Sequence, residues 1–180
     1  MATNRQSLKD LQERLAQRLA AAKSEASTAA SWLAFEAGGH RYLVPLVQSG
    51  EIFPWTTVQA VPYTKPWYVG VASLRGGLHG VVDLVRFVGR DAEPGTVGPE
   101  RVTSESRLVS LHAALGVNAV LWIDRLLGLR NPSMFSAMVP RPQDAPPCFA
   151  RCLIDSQGQT WQELDLQALT SDPEFLAVAA

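Results

Sequence analysis

The stretch VGVASLRGGLHGVVDL, residues 69–84, places a run of β-forming residues on each side of Arg75-Gly76-Gly77. Glycine adopts positive φ at little cost, so a glycine pair between two such runs predicts a tight β-hairpin. Charged residues make up only 18% of the chain, which makes an arginine at the turn conspicuous. An arginine on a tight turn is preorganised for a carboxylate, and arginine is common in binding hot spots. The stretch therefore predicts a hairpin that offers Arg75 for binding.

The composition bounds the class of protein. With 180 residues, 47% hydrophobic residues and a formal net charge of -1, the chain is long and apolar enough for a sizeable core. It has no dense basic block, so the electrostatic attraction behind most nucleic-acid binding is missing. No apolar run reaches the roughly 18 residues that span a bilayer, and no signal-peptide pattern opens the chain. We expect a cytoplasmic protein without nucleic-acid binding or direct membrane insertion.

Short β runs separated by glycine and proline predict an all-β body. Beyond the central hairpin we expect hairpins that turn at residues 38–39, near 115–116 and at 155–158, further strands at 48–55 and 57–61, a helical turn at 83–89 and short C-terminal helices. Residues 91–105 lack periodicity and residues 130–147 contain five prolines, so both are predicted to be loops. The pattern indicates two clusters of strands, each the size of a small barrel.

The N-terminus differs from the rest of the chain. Leu8, Leu11, Leu15, Leu19 and Ala22 recur at spacings of three and four and predict an amphipathic helix over residues 7–25, followed by a linker at 26–31. A helix of this length is marginal in isolation, so its stripe needs a surface to cover it. That surface is either its own domain or another chain, and fraying is the third alternative.

A search for catalytic chemistry finds no motif. The three histidines are scattered (His40, His79, His112), and neither a nucleophile elbow nor a phosphate-binding glycine loop is present. Cys148 and Cys152 are expected to be free, buried thiols, and the five tryptophans are expected to be core or interface residues. The sequence predicts no catalytic residue, no metal site and no cofactor.

The order of three segments carries a family resemblance. WLAFEAGGHRYLVPL is followed by GEIF and then by VPYTKPWYVGVASLRGGLHGVVDLVRFVG, and this order resembles the CheW-like chemotaxis coupling domain over residues 31–90. VLWIDRLLGLR matches the second half of that domain more loosely. The N-terminal helix, KPWYVGVASLRG and the tail GQTWQELDLQALTSDPEFLAVA are similar to the PilI-type branch, which serves the twitching-motility (type IV pilus) chemosensory systems.

The resemblance implies a fold and a role. It implies a CheW-like domain over residues 31–180, with two packed five-stranded SH3-like barrels at about 31–90 and 106–166 whose strands can interlock. It implies a non-enzymatic adaptor that binds the regulatory domain of a CheA-type histidine kinase and the cytoplasmic tip of a methyl-accepting chemoreceptor. On the matching motif, the partner-binding residues would be Glu51, Gly70, Arg75 and Gly76.

Two departures and several alternatives accompany this interpretation. Gly80 replaces the family's proline, which would loosen the strand edge, and Ser49 replaces an aliphatic residue, which would weaken an apolar contact with the partner. Arg75 could instead pair with a nearby carboxylate such as Asp83. The alternative functions are a flagellar-type coupling protein, an SH3-like module that binds proline-rich peptides through Tyr63, Trp67 and Tyr68, and a β-barrel enzyme whose residues assemble from distant strands.

Overall fold

A computed structural model describes residues 13–18, 21, 29–89 and 101–180. Within these residues the strands are β1 (Trp32–Ala37), β2 (His40–Pro45), β3 (Ser49–Pro54), β4 (Tyr68–Leu74), β5 (Gly77–Asp83), β6 (Arg107–Leu111), β7 (Ala119–Ile123), β8 (Arg125–Arg130), β9 (Phe135–Val139), β10 (Phe149–Asp155) and β11 (Thr160–Leu164). Short α-helices span Leu84–Val88, Leu166–Ser171 and Pro173–Leu176, and 3₁₀ turns span Ala113–Leu115 and Pro132–Met134.

The strands form two sheets that each combine distant parts of the chain. The six-stranded sheet has the order β8-β1-β2-β11-β10-β9, and the five-stranded sheet has the order β3-β6-β7-β5-β4. Most neighbours are antiparallel, but β11 pairs with β2 and β5 pairs with β7 in parallel. The strands therefore interlock, and sheet membership does not follow the expected barrel bounds of 31–90 and 106–166.

Three apolar clusters explain why many strands are buried on both faces. Each sheet curls around a small cluster of its own, which includes Leu43 and Trp161 in the six-stranded sheet and Leu108 and Trp122 in the five-stranded sheet. A larger cluster, called the shared core below, lies between the sheets and takes residues from β1, β2, β5, β6, β7 and β11. Strand β1 alternates between the two environments, so nearly all of WLAFEA is buried. The architecture is the expected pair of packed SH3-like barrels.

The five-stranded sheet closes through the segment that follows β3. Sheet order places β3 and β4 at opposite edges. The chain then crosses to β4, where Gln59 and Val71 exchange two backbone hydrogen bonds of 2.8 Å. This crossing covers part of the β4 edge and brings β3 towards the β4–β5 turn.

Several local predictions are confirmed. The hairpins turn at Gly38-Gly39, at Arg75-Gly76, through Ala113–Leu115 and Gly116, and between β10 and β11. Asp83 caps the helix Leu84–Val88, which ends at Gly89. Asp172 caps the last helix, with Pro173 in its first turn.

Other local predictions are wrong. The predicted loop at 130–147 contains β9, because its prolines flank residues 135–139 and leave those amides able to pair with β10. The predicted strand at 57–61 is reduced to the bridge at Gln59, since this segment crosses between sheet edges. As a result, one sheet has six strands and not five.

Arg101 anchors the chain where the described residues resume. Its guanidinium is 3.1 Å from the Asp83 carboxylate and 2.5 Å from the Asp124 carboxylate, and it stacks 4.0 Å from the centre of the Trp122 ring. Asp124 also accepts the backbone N–H of Gly38 at 2.6 Å. One arginine therefore links the end of β5, the end of β7 and the β1–β2 turn.

The predicted N-terminal helix is only partly within the described residues. Residues 13–18 and 21 are helical and exposed, with Leu15 of the predicted stripe 52% exposed. The remainder of the 7–25 prediction, residues 26–28 of the predicted linker and residues 91–100 of the predicted loop lie outside the described residues. No helix in the described ranges is long and apolar enough to cross a membrane.

Candidate partner-binding surface

The β4–β5 turn holds Arg75 in an unusual backbone conformation. Arg75 has a φ of 48° and Gly76 a φ of 78°, the pair of positive values that characterises the tightest hairpin turns. Asparagine or glycine normally occupies the first of these positions, because a longer side chain there costs roughly 1 kcal/mol. An arginine at this position therefore makes the turn less stable than asparagine or glycine would.

Glu51 is positioned by a bulge in β3. The pairing of β3 with β6 shifts register between Ser49 and Ile52. Within the bulge, the backbone N–H of Glu51 donates to the Ser110 hydroxyl at 2.7 Å. A Cβ on Gly50 would overlap that same hydroxyl, so glycine is required there. Gly50 and Ser110 were missed by sequence reasoning, because only the register shift shows that they orient Glu51.

The two predicted charged residues meet across the seam of the five-stranded sheet. Arg75 Nε lies 3.0 Å from Glu51 Oε2, and the two side chains remain 75% and 53% exposed. An ion pair this exposed contributes only about 0 to 1 kcal/mol to stability. Most of the guanidinium stays accessible to a partner, while the carboxylate restricts its position.

Exposed aliphatic side chains lie close in sequence to this pair. Ile52 directly follows Glu51 and is 39% exposed, and Leu78 directly follows the turn glycines and is 66% exposed. Apolar side chains around an arginine exclude water from its contact with a partner, as the rim of a hot spot does. We call Glu51, Ile52, Arg75, Gly76 and Leu78 the seam patch.

The two predicted site glycines differ in position. Gly76 is exposed, and a Cβ on it would meet no atom within 4 Å. Gly70 is buried, with a φ of 148°, and a Cβ there would overlap the carbonyl oxygen of Gln59. Gly70 thus lies under the crossing segment and not on the seam patch, where it permits the close approach of Gln59 to β4.

The two departures from the family pattern have structural explanations that differ from the expected ones. Gly80 lies in β5, an inner strand, and donates its N–H to the Asn118 carbonyl at 3.0 Å, a bond that proline could not make. The Tyr68 ring covers the same glycine. Ser49 is buried, and its hydroxyl donates to the Leu46 carbonyl at 3.1 Å, so its side chain is directed into the fold and not to the surface.

The alternative pairing of Arg75 with Asp83 is wrong. Asp83 is fully buried at the far end of β5, where it caps the helix Leu84–Val88 and pairs with Arg101. The alternative peptide groove also fails to form, because Trp67 is buried between Phe87 and Phe175. Tyr63 alone of the three proposed groove residues is strongly exposed, at 89%.

The other polar candidates take structural positions. His79 contacts the Gly77 carbonyl at 3.3 Å, and His112 accepts the N–H of Ala114 at the start of a 3₁₀ turn. No disulfide joins Cys148 and Cys152. Cys148 is buried as expected, whereas Cys152 is only half-buried, and its thiol donates to the Gln162 side-chain carbonyl at 3.1 Å. Within the described residues no three His, Cys, Asp or Glu side chains converge as metal ligands.

Comparisons with known proteins agree with this architecture. The model of the CheW-like domain family matches residues 31–174. Protein PilI of Pseudomonas aeruginosa is 30% identical over 179 residues, which covers 97% of this chain and 95% of that protein. The crystal structure of the scaffolding protein TtCheW from Thermoanaerobacter tengcongensis superposes with a TM-score of 0.60 at 18% identity, covering 76% of this chain and 88% of the other.

Proposed function

The chain belongs to the CheW-like domain family, and we propose that it couples methyl-accepting chemoreceptors to a CheA-type histidine kinase. Proteins of this family are scaffold or adaptor proteins and not enzymes, so its function is to hold other proteins together. The full-length similarity to Protein PilI favours a type IV pilus system that controls twitching motility over a flagellar one. In this role the protein works at membrane-associated receptor arrays.

The exposed pairing of Glu51 with Arg75 is the observation that carries this proposal. Arg75 occupies a turn position that favours asparagine, and its ion pair is too exposed to stabilise the fold strongly. A costly conformation that yields little stability is typical of a functional residue. We assign the seam patch to the receptor tip, with Arg75 binding a receptor carboxylate or carbonyl.

Co-purification tests the assignment. The full chain is mixed with the kinase regulatory domain or with a receptor cytoplasmic tip, and Arg75→Ala is compared with wild type. We expect capture of the receptor tip to weaken about tenfold, in the range of interface hot spots, and capture of the kinase domain to be unchanged. The matched control is Arg125→Ala, which removes another exposed arginine from a 2.9 Å pair with Glu36.

A charge swap separates a partner-binding role from a structural one. The double variant Glu51→Arg with Arg75→Glu allows an ion pair between the same positions but reverses the charges offered to a partner. If the pair serves only the fold, receptor capture recovers in the double variant. The proposal requires that capture stays lost, and recovery to the wild-type level would refute it.

A further inference from the structure

A concave pocket lies in the six-stranded barrel, away from the seam patch. Its volume is about 360 Å³, within the lower part of the range of small-ligand pockets. The walls come from strands β2, β8, β9 and β11, from the end of β10 and the β10–β11 turn, and from the 3₁₀ turn Pro132–Met134. The apolar side chains lining it are Leu127, Met134, Phe135 and Trp161. The site thus combines an aromatic wall with an opening to solvent.

Two arginines in this pocket stack on the same indole ring. The guanidinium carbons of Arg41 and Arg130 lie 5.4 and 5.1 Å from the centre of the Trp161 ring. Arg41 donates one hydrogen bond to Gln159, and Arg130 donates one to its neighbouring carbonyl at Leu129. A guanidinium has five N–H donors, so both retain donors for another acceptor. The cation–π contact and the hydrogen bond of each arginine restrict its side chain, which reduces the entropy lost when it binds an acceptor.

The single carboxylate of the pocket is already engaged. Asp155 accepts hydrogen bonds from the Trp161 indole and from the backbone N–H groups of Gln157 and Gln159, each at 2.9 Å. The indole hydrogen bond is the main reason why the pKa of Asp155 is lowered, with smaller contributions from the backbone bonds and Arg41. Two cations and one anion among the lining residues leave a surplus positive charge.

From this geometry we infer that the pocket binds a carboxylate carried on a small apolar or aromatic body. The carboxylate would accept from the guanidinium forks of Arg41 and Arg130, whose planar donors match its two oxygens. The apolar body would contact Phe135 and Met134. A free organic acid and an acidic side chain of a partner protein share this chemistry, so the experiment distinguishes the two sources. The inference does not rest on the proposed coupling function.

Titrations followed by NMR test the inference on the full chain. Phenylacetate represents a free acid, and the blocked peptide acetyl-Ala-Asp-Phe-amide represents a protein side chain. Their uncharged counterparts are phenylacetamide and the peptide with Asn in place of Asp. The readout is the indole N–H resonance of Trp161, assigned with Trp161→Phe, because that group borders the pocket and bonds Asp155. We expect saturable shifts with at least one carboxylate probe and none with its counterpart.

Variants locate the binding within the pocket. Arg130→Ala and Ser156→Glu are each expected to weaken binding about tenfold or more, the first by removing a donor fork and the second by adding a negative charge at an exposed turn. Because Ser156 is exposed, the second variant tests the pocket even if the first perturbs the fold. Arg141→Ala removes an exposed arginine outside the pocket and is expected to leave binding unchanged.

Saturable binding of a carboxylate probe, without binding of its uncharged counterpart, supports the inference. Binding of phenylacetate alone identifies a free acid as the ligand, and binding of the peptide alone identifies a protein side chain. Equal shifts with the uncharged probes, no shift with either carboxylate, or undiminished binding by Ser156→Glu would each overturn the inference.

Discussion

Among the described residues, Tyr63 and Arg75 are the non-glycine residues with positive φ, at 58° and 48°. Both side chains are strongly exposed, so neither gains much from packing to offset its backbone strain. Tyrosine and arginine are also enriched among interface hot spots. The two strained non-glycine residues are therefore also residues whose side chains are available for contact with another protein.

Replacing Arg75 by asparagine tests whether the strain serves function. Asparagine tolerates positive φ, so the turn gains about 1 kcal/mol, while loss of the ion pair costs about 0 to 1 kcal/mol. We expect the free energy of unfolding of Arg75→Asn, measured in urea, to lie between the wild-type value and about 1 kcal/mol above it. Receptor capture is expected to fall as in Arg75→Ala. A destabilisation above about 1 kcal/mol would make Arg75 a structural residue.

Tyr42 gives the molecule an alkaline limit. It is buried in the shared core and stacked on Phe35, and burial is the main reason why its pKa rises from 10.0 to about 12. Between these values the unfolded state has lost the phenolic proton and the folded state has kept it. Stability therefore falls as pH rises through this window and is fully present below the unfolded pKa.

The contribution of Tyr42 can be measured by difference. Two pKa units correspond to about 2.7 kcal/mol, so the free energy of unfolding of wild type should fall by about 2 kcal/mol more than that of Tyr42→Phe over this window. Urea unfolding at a series of pH values between 9 and 12, followed by circular dichroism, provides the comparison. Parallel curves for the two proteins would show that Tyr42 ionises equally in both states.

At the scale of elements, local signals predicted the hairpins. Gly38-Gly39 and Gly76 marked two turns, and cap residues such as Asp83 marked helix starts. Strand β9 was missed because surrounding prolines obscured a short run without its own turn signal. The parallel pairs β2–β11 and β5–β7 join segments with no local relation, so the order of strands could not be predicted.

The candidate site likewise has a part that sequence predicted and a part that only the structure shows. Turn chemistry and the family motif identified Arg75, Gly76 and Glu51, but the contact between Arg75 and Glu51 depends on how the five-stranded sheet closes. The same long-range closure explains why Gly70 is buried. Asp83 is out of reach of Arg75 for a local reason, because it lies at the far end of β5 from the turn. Sequence thus indicated which residues to consider, while packing determined their partners.

Closure of the five-stranded sheet can be tested at Gly70. Alanine there would clash with the Gln59 carbonyl and would also adopt an unfavourable φ of 148°. We expect Gly70→Ala to lower the free energy of unfolding by about 2 to 4 kcal/mol and to weaken receptor capture. The control is Gly39→Ala, at a φ of 77° with open space around it, which should cost about 1 kcal/mol. If both variants lose the same free energy of unfolding, the segment that carries Gln59 moves away from the new methyl group at no energetic cost.

At the scale of the whole molecule, the two barrels share most of their apolar burial. The shared core takes residues from both sheets, whereas each barrel encloses a smaller cluster of its own. Arg101 adds a polar link, since its partners Asp83 and Asp124 connect the five-stranded sheet to the β1–β2 turn. Neither barrel could separate without exposing the shared core, so we expect the two to unfold together.

Hydrogen exchange on a single-site variant tests this cooperativity. Leu153 belongs to the small cluster of the six-stranded barrel and is 6% exposed, so Leu153→Ala should cost about 2 to 5 kcal/mol. If unfolding is cooperative, the slowest-exchanging amides of β6 and β7 in the other sheet lose the same free energy of protection as those of β10 and β11. Exchange that accelerates in the six-stranded sheet alone would show that the barrels open independently.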